Sequence, residues 1–131
     1  MNTQKNLENF AILSPLSDNP HYPNYRLNFG KSQKFDGNII VDVEEIDGYS
    51  MIINKKFFIN NIFFDEKFFM YLENVDLCLR AKKNSGKIFI ITNSKIHHLG
   101  AQAVDDKYNE EIELSRNWHW MWSKFYFNKK H

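Results

Sequence analysis

The chain has 131 residues, of which 43% are hydrophobic and 16% aromatic, and its formal net charge is +1. This composition suffices for one small domain with an apolar core and excludes an intrinsically disordered chain, which has few aromatic residues and a large net charge. The low net charge also provides no overall field that would attract nucleic acid or a membrane. We therefore expect residues 1–131 to form a single domain with no nucleic-acid partner.

The cellular compartment is indicated by features that the sequence lacks. A single cysteine, Cys78, excludes an internal disulfide and is typical of a reducing compartment. The N-terminal segment MNTQKNLENFAIL lacks the apolar core of a signal peptide, and no apolar run reaches the roughly 18 residues that a membrane-spanning helix needs. These features predict a soluble, cytoplasmic protein in which Cys78 is an inert core thiol.

Short apolar runs predict strands in the first part of the chain. Phe10–Leu13 is typical of a buried strand that the following Ser-Pro pair ends. Ser14–Asn38 contains all three prolines and predicts a loop of about 25 residues, a length that is more often functional than idle. Ile39–Val43 and Tyr49–Ile53 are further strand candidates, and a turn at Glu44–Gly48 joins them.

Helical periodicity appears in the second part of the chain. Lys55–Asn61 is a weak candidate for a short helix, whereas Glu73 begins a helix with acidic residues in its first turn. We expect that helix to stop at Asn84-Ser85-Gly86, with Gly86 in the left-handed conformation. The β-branched and aromatic run Lys87–Thr92 then predicts a buried strand, followed by a shorter extended piece, Ile96–His98.

The longest predicted helix, Glu110–Asn128, follows a polar segment, Val104–Asn109. Its acidic residues lie at the start and its lysines at the end, as the helix dipole favours. Strands that alternate with helical segments predict an α/β or mixed α+β domain. We expect a small mixed sheet with flanking helices and a long aromatic C-terminal helix.

The most informative segment is Phe64–Arg80, FDEKFFMYLENVDLCLR, which places two carboxylates after an aromatic run. Glu73 and Asp76 are three positions apart, so a helix start would put them on one face. Carboxylates beside apolar side chains can have raised pKa values, which suits a general base near neutral pH. The same residues also fit a plain helix start in which Asp76 forms a surface ion pair with Arg80.

Several motifs in a fixed order give this segment a wider context. The chain reads DGYSMII at Asp47–Ile53, then the segment Phe64–Arg80, then GKI at Gly86–Ile88 and HLG at His98–Gly100. In order and spacing these motifs resemble those of family 2 glycosyltransferases, especially bacterial rhamnosyltransferase-like members. The resemblance extends over Phe10–Lys130.

The resemblance implies a GT-A fold and transfer of a sugar from a nucleotide-diphosphate sugar to an acceptor hydroxyl, in polysaccharide or lipopolysaccharide assembly. In inverting members a carboxylate of a Glu-Asp motif removes the proton from that hydroxyl. Here the motif reads Glu73-Asn74, and an amide does not accept a proton at neutral pH. We expect Glu73, or else Asp76, to replace the usual Asp, and Asn74 to line the site and orient the acceptor.

The resemblance also implies that this chain supplies only the acceptor side of such an enzyme. Members usually carry a nucleotide-binding half that ends in an Asp-x-Asp motif, which holds Mg²⁺ or Mn²⁺ against the diphosphate. No such motif occurs before Phe10, and Asp105-Asp106 comes late, in a polar stretch. We therefore expect the nucleotide-sugar donor to bind through another segment, the isolated chain to be inactive, and no cofactor to bind it tightly.

Adjacent histidines provide a possible metal contact. By the resemblance, His98 lies near the diphosphate and completes a metal shell, and imidazole suits Mn²⁺-like ions. His97 and His98 are neighbours in an extended piece, so their side chains point to opposite faces. Packing of one and solvation of the other would explain both without a ligand.

The resemblance places Asp47, Gly48 and Tyr49 at the bound substrates. Gly48 would allow a ligand to approach the backbone closely, although a simple turn explains it equally well. Arg116 is a candidate phosphate contact because its guanidinium is a fork of donors. An ion pair with Glu113 or Glu110 explains it as well.

The C-terminal helix has three interpretations, because its apolar residues surround it nearly completely. It could be buried, lie on a membrane surface and hold a lipid-linked acceptor, or stack on single-stranded RNA, in decreasing order of preference. Its apolar and aromatic residues with the intervening histidine are Trp118, His119, Trp120, Met121, Trp122, Phe125, Tyr126 and Phe127.

Two functions remain open at the level of sequence. The first is the acceptor side of an inverting glycosyltransferase, which binds a saccharide or lipid-linked saccharide and contacts the inner face of the plasma membrane peripherally. The second is a non-catalytic module or remnant with the same fold, which holds a glycan or a partner. A divided GT-A sheet would expose strand edges and apolar surface, so we also expect self-association.

Overall fold

The structure is a computed structural model that describes residues 7–28, 37, 39–99 and 108–131. Its strands are β1 (Phe10–Ser17), β2 (Tyr25–Arg26), β3 (Ile40–Asp42), β4 (Glu45–Ile46), β5 (Ile52–Ile53) and β6 (Lys87–Ile96), and its helices are α1 (Glu73–Lys83) and α2 (Asn109–Lys130). Two short 3₁₀ helices span Lys55–Phe57 and Ile59–Asn61. Gly100, Asp105-Asp106 and most of Val104–Asn109 lie outside the described residues.

The described strands form two sheets. The larger sheet has the order β3-β6-β1-β5, in which β1 and β6 are parallel and the outer pairings are antiparallel. The smaller sheet pairs β2 with β4. A mixed sheet with two helices confirms the predicted mixed α+β class.

The core lies between α1 and the central strands β1 and β6. One face of α1 presents Leu77, Cys78 and Ala81 to the sheet, at the helical spacing expected of a buried stripe. The strands contribute the other fully buried side chains of this contact, which are Ala11, Ile12, Ile88 and Ile90. This packing fixes the start of α1 relative to the ends of the strands.

Strand β1 continues through Pro15 to Ser17, so the predicted stop at the Ser-Pro pair is wrong. Proline cannot donate to a ladder, but β5 pairs only with Ile12 and Leu13, so one edge of β1 is open beside Pro15. The Asn24 side chain fills part of that edge by donating from Nδ2 to Pro15 O at 2.9 Å. The predicted loop Ser14–Asn38 therefore contains strand residues at its start.

The predicted segment around residue 48 also differs from the structure. Glu45–Ile46 is strand β4 rather than turn, because it pairs with Tyr25–Arg26 of the predicted loop. Of the expected strand Tyr49–Ile53, only Ile52–Ile53 is paired. The weak helix at Lys55–Asn61 appears as the two 3₁₀ helices.

The end of α1 corrects the prediction for Gly86. Ser85 adopts the left-handed conformation, with φ of 61°, whereas Gly86 is not among the residues with positive φ. Gly86 instead lies against the sheet, where an added Cβ would be 2.5 Å from Ala11 Cβ and 2.9 Å from Ala81 O. The glycine is needed here for close packing of α1 on β1.

Helix α2 matches the prediction in extent but not in burial. Within residues 109–130 only Ser123 is buried, so the first interpretation of this helix is wrong. The helix packs on the segment before α1 through side chains that donate to backbone carbonyls: Trp122 Nε1 to Lys67 O at 3.1 Å and Ser123 Oγ to Met70 O at 2.7 Å. Among the described residues, neither α2 nor any other helix combines the length and apolarity needed to span a bilayer.

Candidate functional site

Three segments meet at the candidate site: the loop Asp47–Tyr49, the first turn of α1 and the end of β6. A Cβ placed on Gly48 would lie 3.6 Å from Glu73 Oε1 and 3.6 Å from Asn74 Cβ. On the other side of the loop, the rings of Tyr49 and His98 have centroids 4.2 Å apart. The structure therefore brings together residues that the motif resemblance assigned to one site.

Asn74 fastens the loop to the helix. Its side chain donates from Nδ2 to Ile46 O at 2.8 Å, directly before Asp47 and Gly48. The residues before the helix, Tyr71 and Leu72, have φ of 70° and 64°, values that are unusual for bulky side chains. This local backbone strain turns the chain sharply into α1 and sets the direction of its first turn.

Glu73 carries an oxygen without a partner. Its Oε2 is buried, yet it accepts no hydrogen bond from any residue that the structure describes. Buried polar atoms are normally paired, and an exception is informative at a candidate site. The other oxygen, Oε1, lies beside Gly48, where an added Cβ would be 3.6 Å from it.

Asp47 is a second carboxylate of this site with a perturbed acidity. Partial burial raises the pKa of Asp47, while the nearby His98 lowers it by a smaller amount. A carboxylate whose pKa lies above its ordinary value is better suited to accept a proton near neutral pH. The sequence assigned Asp47 to substrate binding, and the raised pKa makes it a candidate proton acceptor as well.

A cavity of about 370 Å³ opens beside Tyr49 and His98. Its lining is largely aromatic and polar and consists of Ser17, Asn19, Tyr22, Tyr49, His98 and Leu99. His97 points elsewhere and pairs through Nδ1 with Asp18 Oδ2 at 2.9 Å. The two histidines thus have separate surroundings, as their adjacent positions predict.

Asp76 does not join this cavity. Its carboxylate is fully buried and contacts three cationic or ionisable groups: Arg80 Nε at 2.8 Å, Lys130 Nζ at 2.7 Å and His131 Nε2 at 2.7 Å. Burial alone would raise the pKa of Asp76, but the hydrogen bonds from Lys130, His131 and Arg80 outweigh it and lower the pKa. We therefore assign Asp76 to the packing of α2 on α1 rather than to proton transfer.

Arg116 and Cys78 also lie outside the site. Arg116 Nη1 pairs with Glu113 Oε1 at 2.6 Å on the same helix, which is one of the two alternatives that its sequence allowed. The Cys78 thiol is buried in the core, and burial raises its pKa to about 12. At that pKa the thiol is unreactive at neutral pH, in agreement with the predicted inert side chain.

The described residues do not form a complete metal site. No three His, Cys, Asp or Glu side chains of the described ranges come together closely enough to hold an ion. His98 and the adjacent Asp47 could contribute two ligands at most, so a divalent cation would need ligands from elsewhere.

The polar lining from the end of β1 was not identified from the sequence. Ser17, Asn19 and Tyr22 line the cavity because β1 runs past Pro15 and delivers the following turn to the site. The unusual length of the predicted proline-rich loop was the available signal. It indicated function without indicating which side chains face the ligand.

No protein-family model, curated protein or solved structure matches this chain. The resemblance to family 2 glycosyltransferases therefore rests on the motifs quoted above.

Proposed function

We propose that this chain forms the acceptor side of an inverting glycosyltransferase with a GT-A fold, acting in polysaccharide or lipopolysaccharide assembly. The observation that carries the proposal is the buried Glu73 Oε2, which has no hydrogen-bond partner among the described residues, in a carboxylate whose other oxygen lies beside Gly48. A carboxylate in that setting gains a hydrogen bond when a hydroxyl enters, so the site favours a ligand rich in hydroxyl groups.

The aromatic and polar lining supports a saccharide as that ligand. Tyr22 and Tyr49 offer ring faces for the apolar side of a sugar, and Ser17 and Asn19 offer donors and acceptors for its hydroxyls. Sites for small ligands commonly combine such walls with a few placed polar groups. A volume of about 370 Å³ lies within the usual range for small-ligand sites and is open enough for a sugar that continues into solvent.

The proposed reaction uses Glu73 as the general base. The acceptor hydroxyl gives its proton to the carboxylate while its oxygen forms a bond to the anomeric carbon of the donor sugar. The bond from that carbon to the diphosphate breaks, and the nucleoside diphosphate leaves with the electron pair. Asp47, whose pKa is raised by burial, is the second carboxylate that we propose as a proton acceptor.

The remaining residues of the site position the reactants. Asn74 fixes the loop that carries Asp47 and Gly48, through its bond to Ile46 O. To His98, whose ring packs against Tyr49, we assign contact with the diphosphate of a donor bound by another segment. If the complete enzyme uses Mg²⁺ or Mn²⁺, the ion would neutralise charge on the leaving diphosphate, and His98 would be this chain's contribution to its shell.

A binding experiment on this chain tests the acceptor site. In a ¹⁵N NMR titration with a panel of methyl glycosides at millimolar concentration, we expect shift changes at Gly48, Tyr49 and His98. Tyr49→Ala should weaken the binding about tenfold, whereas the control Arg116→Gln should leave it unchanged. An absence of site-specific shifts across the panel would contradict a saccharide site.

The second candidate is a non-catalytic glycan-binding module, which Asn74 in place of the usual Asp favours. The two candidates differ in turnover when the donor-binding segment and a nucleotide sugar are supplied. Catalysis predicts that Glu73→Gln lowers kcat by about 10²-fold or more with little change in acceptor binding. An equal rate for wild type and Glu73→Gln would remove Glu73 from the base role, and Asp47→Asn then tests the other carboxylate.

Calorimetry with UDP and Mn²⁺ tests the expected division of the enzyme. Because no three-ligand cluster occurs among the described residues, this chain should bind the nucleotide weakly or not at all. Micromolar binding would show that this chain carries a donor site of its own.

A further inference from the structure

Helix α2 has an apolar face that the domain does not cover. The outer stripe, as we name it, consists of Leu114, Trp118, Met121 and Phe125. These side chains are between 57% (Trp118) and 72% (Leu114) exposed. Trp118 stacks on Trp122 with a 9° angle between the rings, so the aromatic part of this surface is ordered before any partner arrives.

The opposite, inner face of α2 is the one that docks on the described part of the domain. Ser123 donates to Met70 O, Tyr126 OH donates to Asp65 at 2.9 Å, and Lys130 pairs with Asp65 and Asp76. The outer stripe takes no part in these contacts and is exposed. Among the described residues, it is therefore a surface that a second molecule can contact.

The spacing of the outer stripe indicates a helical partner. Leu114, Trp118, Met121 and Phe125 follow one another at intervals of four, three and four. Apolar residues that alternate at three and four positions form the seam between two packed helices. The stripe extends over about three helical turns, enough for one short helix pair.

Unpaired charges at the two ends of the stripe indicate how that partner is oriented. Glu110 and Glu111 lie at the first turn, and Lys124 and Lys129 lie towards the end, all exposed. None of these four forms an ion pair with a residue in the described ranges, whereas Glu113 and Lys130 are paired within the domain. The surface is thus negative at one end and positive at the other.

We propose that the outer stripe binds a second copy of this chain, with the two α2 helices antiparallel. A twofold axis between His119 and Trp120 would place Leu114 opposite Phe125 and Trp118 opposite Met121 of the partner. The same axis places Glu110 opposite Lys129 at both ends. In this arrangement apolar residues face apolar residues and opposite charges face each other, as a closed symmetric dimer requires.

The same charges argue against the two alternative partners. On an anionic membrane surface the glutamates of the first turn would face lipid phosphates and be repelled, so only one end of the helix would bind well. A parallel helix pair would place Glu110 beside Glu110 and Lys129 beside Lys129. Only the antiparallel pair brings opposite charges together at both ends of α2.

A charge-swap experiment on the full chain tests this dimer. By sedimentation equilibrium we expect the wild-type chain to dimerise, and Glu110→Lys alone and Lys129→Glu alone each to weaken dimerisation about tenfold or more. In an equimolar mixture of the two single variants, every end contact of the mixed dimer joins opposite charges. The mixture should therefore recover wild-type affinity.

A recovery of affinity in the mixture would distinguish an effect on dimerisation from an effect on helix stability. Each single variant opposes the helix dipole, and mixing two proteins cannot repair an effect inside one helix. Circular dichroism confirms that both variants stay helical. Trp118→Lys provides a second route, since it should abolish the dimer without touching the inner face.

Three outcomes would overturn the proposal. One is a dimer whose affinity is the same in all of these variants. Another is a mixture of the two charge variants that associates no better than either alone. The third is a monomeric wild-type chain that sediments with vesicles of phosphatidylglycerol and phosphatidylcholine and loses that binding with Trp118→Lys, which would assign the stripe to a lipid surface.

Discussion

Two adjacent residues at the end of α1 have roles that their identities do not suggest. Ser85 takes the left-handed conformation, and Gly86, which is free to take it, is instead packed between Ala11 and the backbone of Ala81. The Gly86 N–H donates to Ala81 O at 2.9 Å, which draws the chain close to the helix. Glycine is needed at position 86 because the space is narrow, not because the backbone angle requires it.

This division of roles predicts opposite effects at neighbouring positions. Gly86→Ala should destabilise the fold by about 1–3 kcal/mol, because the new methyl group overlaps Ala11 Cβ. Ser85→Gly should be neutral or stabilise by up to about 1 kcal/mol, because it relieves a left-handed residue that has a side chain. Urea denaturation measures both. Equal destabilisation by the two changes would contradict the assignment.

Asn74 gives a second prediction at the scale of one residue. Its Nδ2 donates to Ile46 O, and a carboxylate at this position would face that carbonyl without a proton to donate. Asn74→Asp, which restores the Glu-Asp motif of the resembled family, should cost about 1–2 kcal/mol of stability at pH 7.

The pH dependence of this variant provides its control. The carbonyl favours the protonated acid, so the introduced group has a raised pKa in the folded state. Its penalty should therefore shrink as pH falls and the carboxyl gains a proton, whereas a penalty independent of pH would indicate a steric cause. Denaturant titrations of wild type and Asn74→Asp at pH 7 and pH 4 make this comparison.

At the scale of elements, α2 is held on the domain by a small group of ions. Lys130 Nζ lies 2.7 Å from Asp65 Oδ2 and 2.7 Å from Asp76 Oδ1, so one ammonium joins the segment before α1 to α1 itself. Ser123 and Trp122 complete the contact through backbone carbonyls. These polar contacts act together with aromatic packing, since the buried ring of Phe68 lies 4.9 Å from the ring of Tyr126 between centroids.

This ion group predicts acid sensitivity of the docked helix. Burial would raise the pKa of Asp65, but hydrogen bonds from Lys130, the Lys67 backbone and Tyr126 lower it to about 2. A pKa depressed in the folded state gives stability that is present above the unfolded value and is lost as pH falls from about 4 towards 2.

Asp65→Asn should remove that pH dependence and cost on the order of 1 kcal/mol at pH 7, with allowance for solvent screening. Trp122 fluorescence, followed from pH 6 to pH 2 in a background with Trp118→Phe and Trp120→Phe, reports the docking. An unchanged acid transition in the variant would show that Asp65 does not control it. Glu113→Gln, whose partner Arg116 lies on the same helix, is the matched control.

The elements that sequence could predict are those with their own periodicity. Helices α1 and α2 and the start of β6 carry long patterns, and their positions were predicted to within a few residues. Strands β2 and β4 are two residues each and exist only because they pair with one another across the loop. No local pattern encodes such a pair, so the loop and turn predictions failed there.

The candidate site was predictable only where nearby residues determine it. The motif order indicated that Asp47, Gly48 and Glu73 belong together, and the structure places Gly48 beside Glu73. The direction of Asp76 depends on His131, 55 positions away, and on Lys130 beside it, and no spacing rule relates these residues. Asp76 appeared catalytic from its neighbours in the sequence, but its contacts with distant residues give it a structural role.

At the scale of the whole molecule, exposed apolar side chains lie on α2, at the sheet edge and on the segment between β5 and α1, where Ile59 and Phe69 are both 74% exposed. The edge strands β3 and β5 have three and two residues, too short to be effective templates for pairing with another chain. The expectation of self-association stays a prediction. The structure makes the outer stripe, rather than the sheet edges, the more favourable surface for it.

Ile52 on β5 tests this shift, because it is 63% exposed at the edge of the sheet. Ile52→Lys should leave the dimer affinity unchanged, whereas Met121→Lys on the outer stripe should abolish dimerisation. Light scattering over a concentration series compares the two lysine variants at equal added charge. Loss of the dimer in Ile52→Lys alone would place the contact at the sheet edge.

The buried thiol of Cys78 makes the natural chain suitable for attaching probes. With a pKa of about 12 and a buried side chain, Cys78 should not react with maleimides or methanethiosulfonates. A cysteine introduced elsewhere would then be the sole reactive position, with no need to alter the native sequence further. A spin label on the solvent side of α2 could thus report distances between two molecules in an otherwise unmodified background.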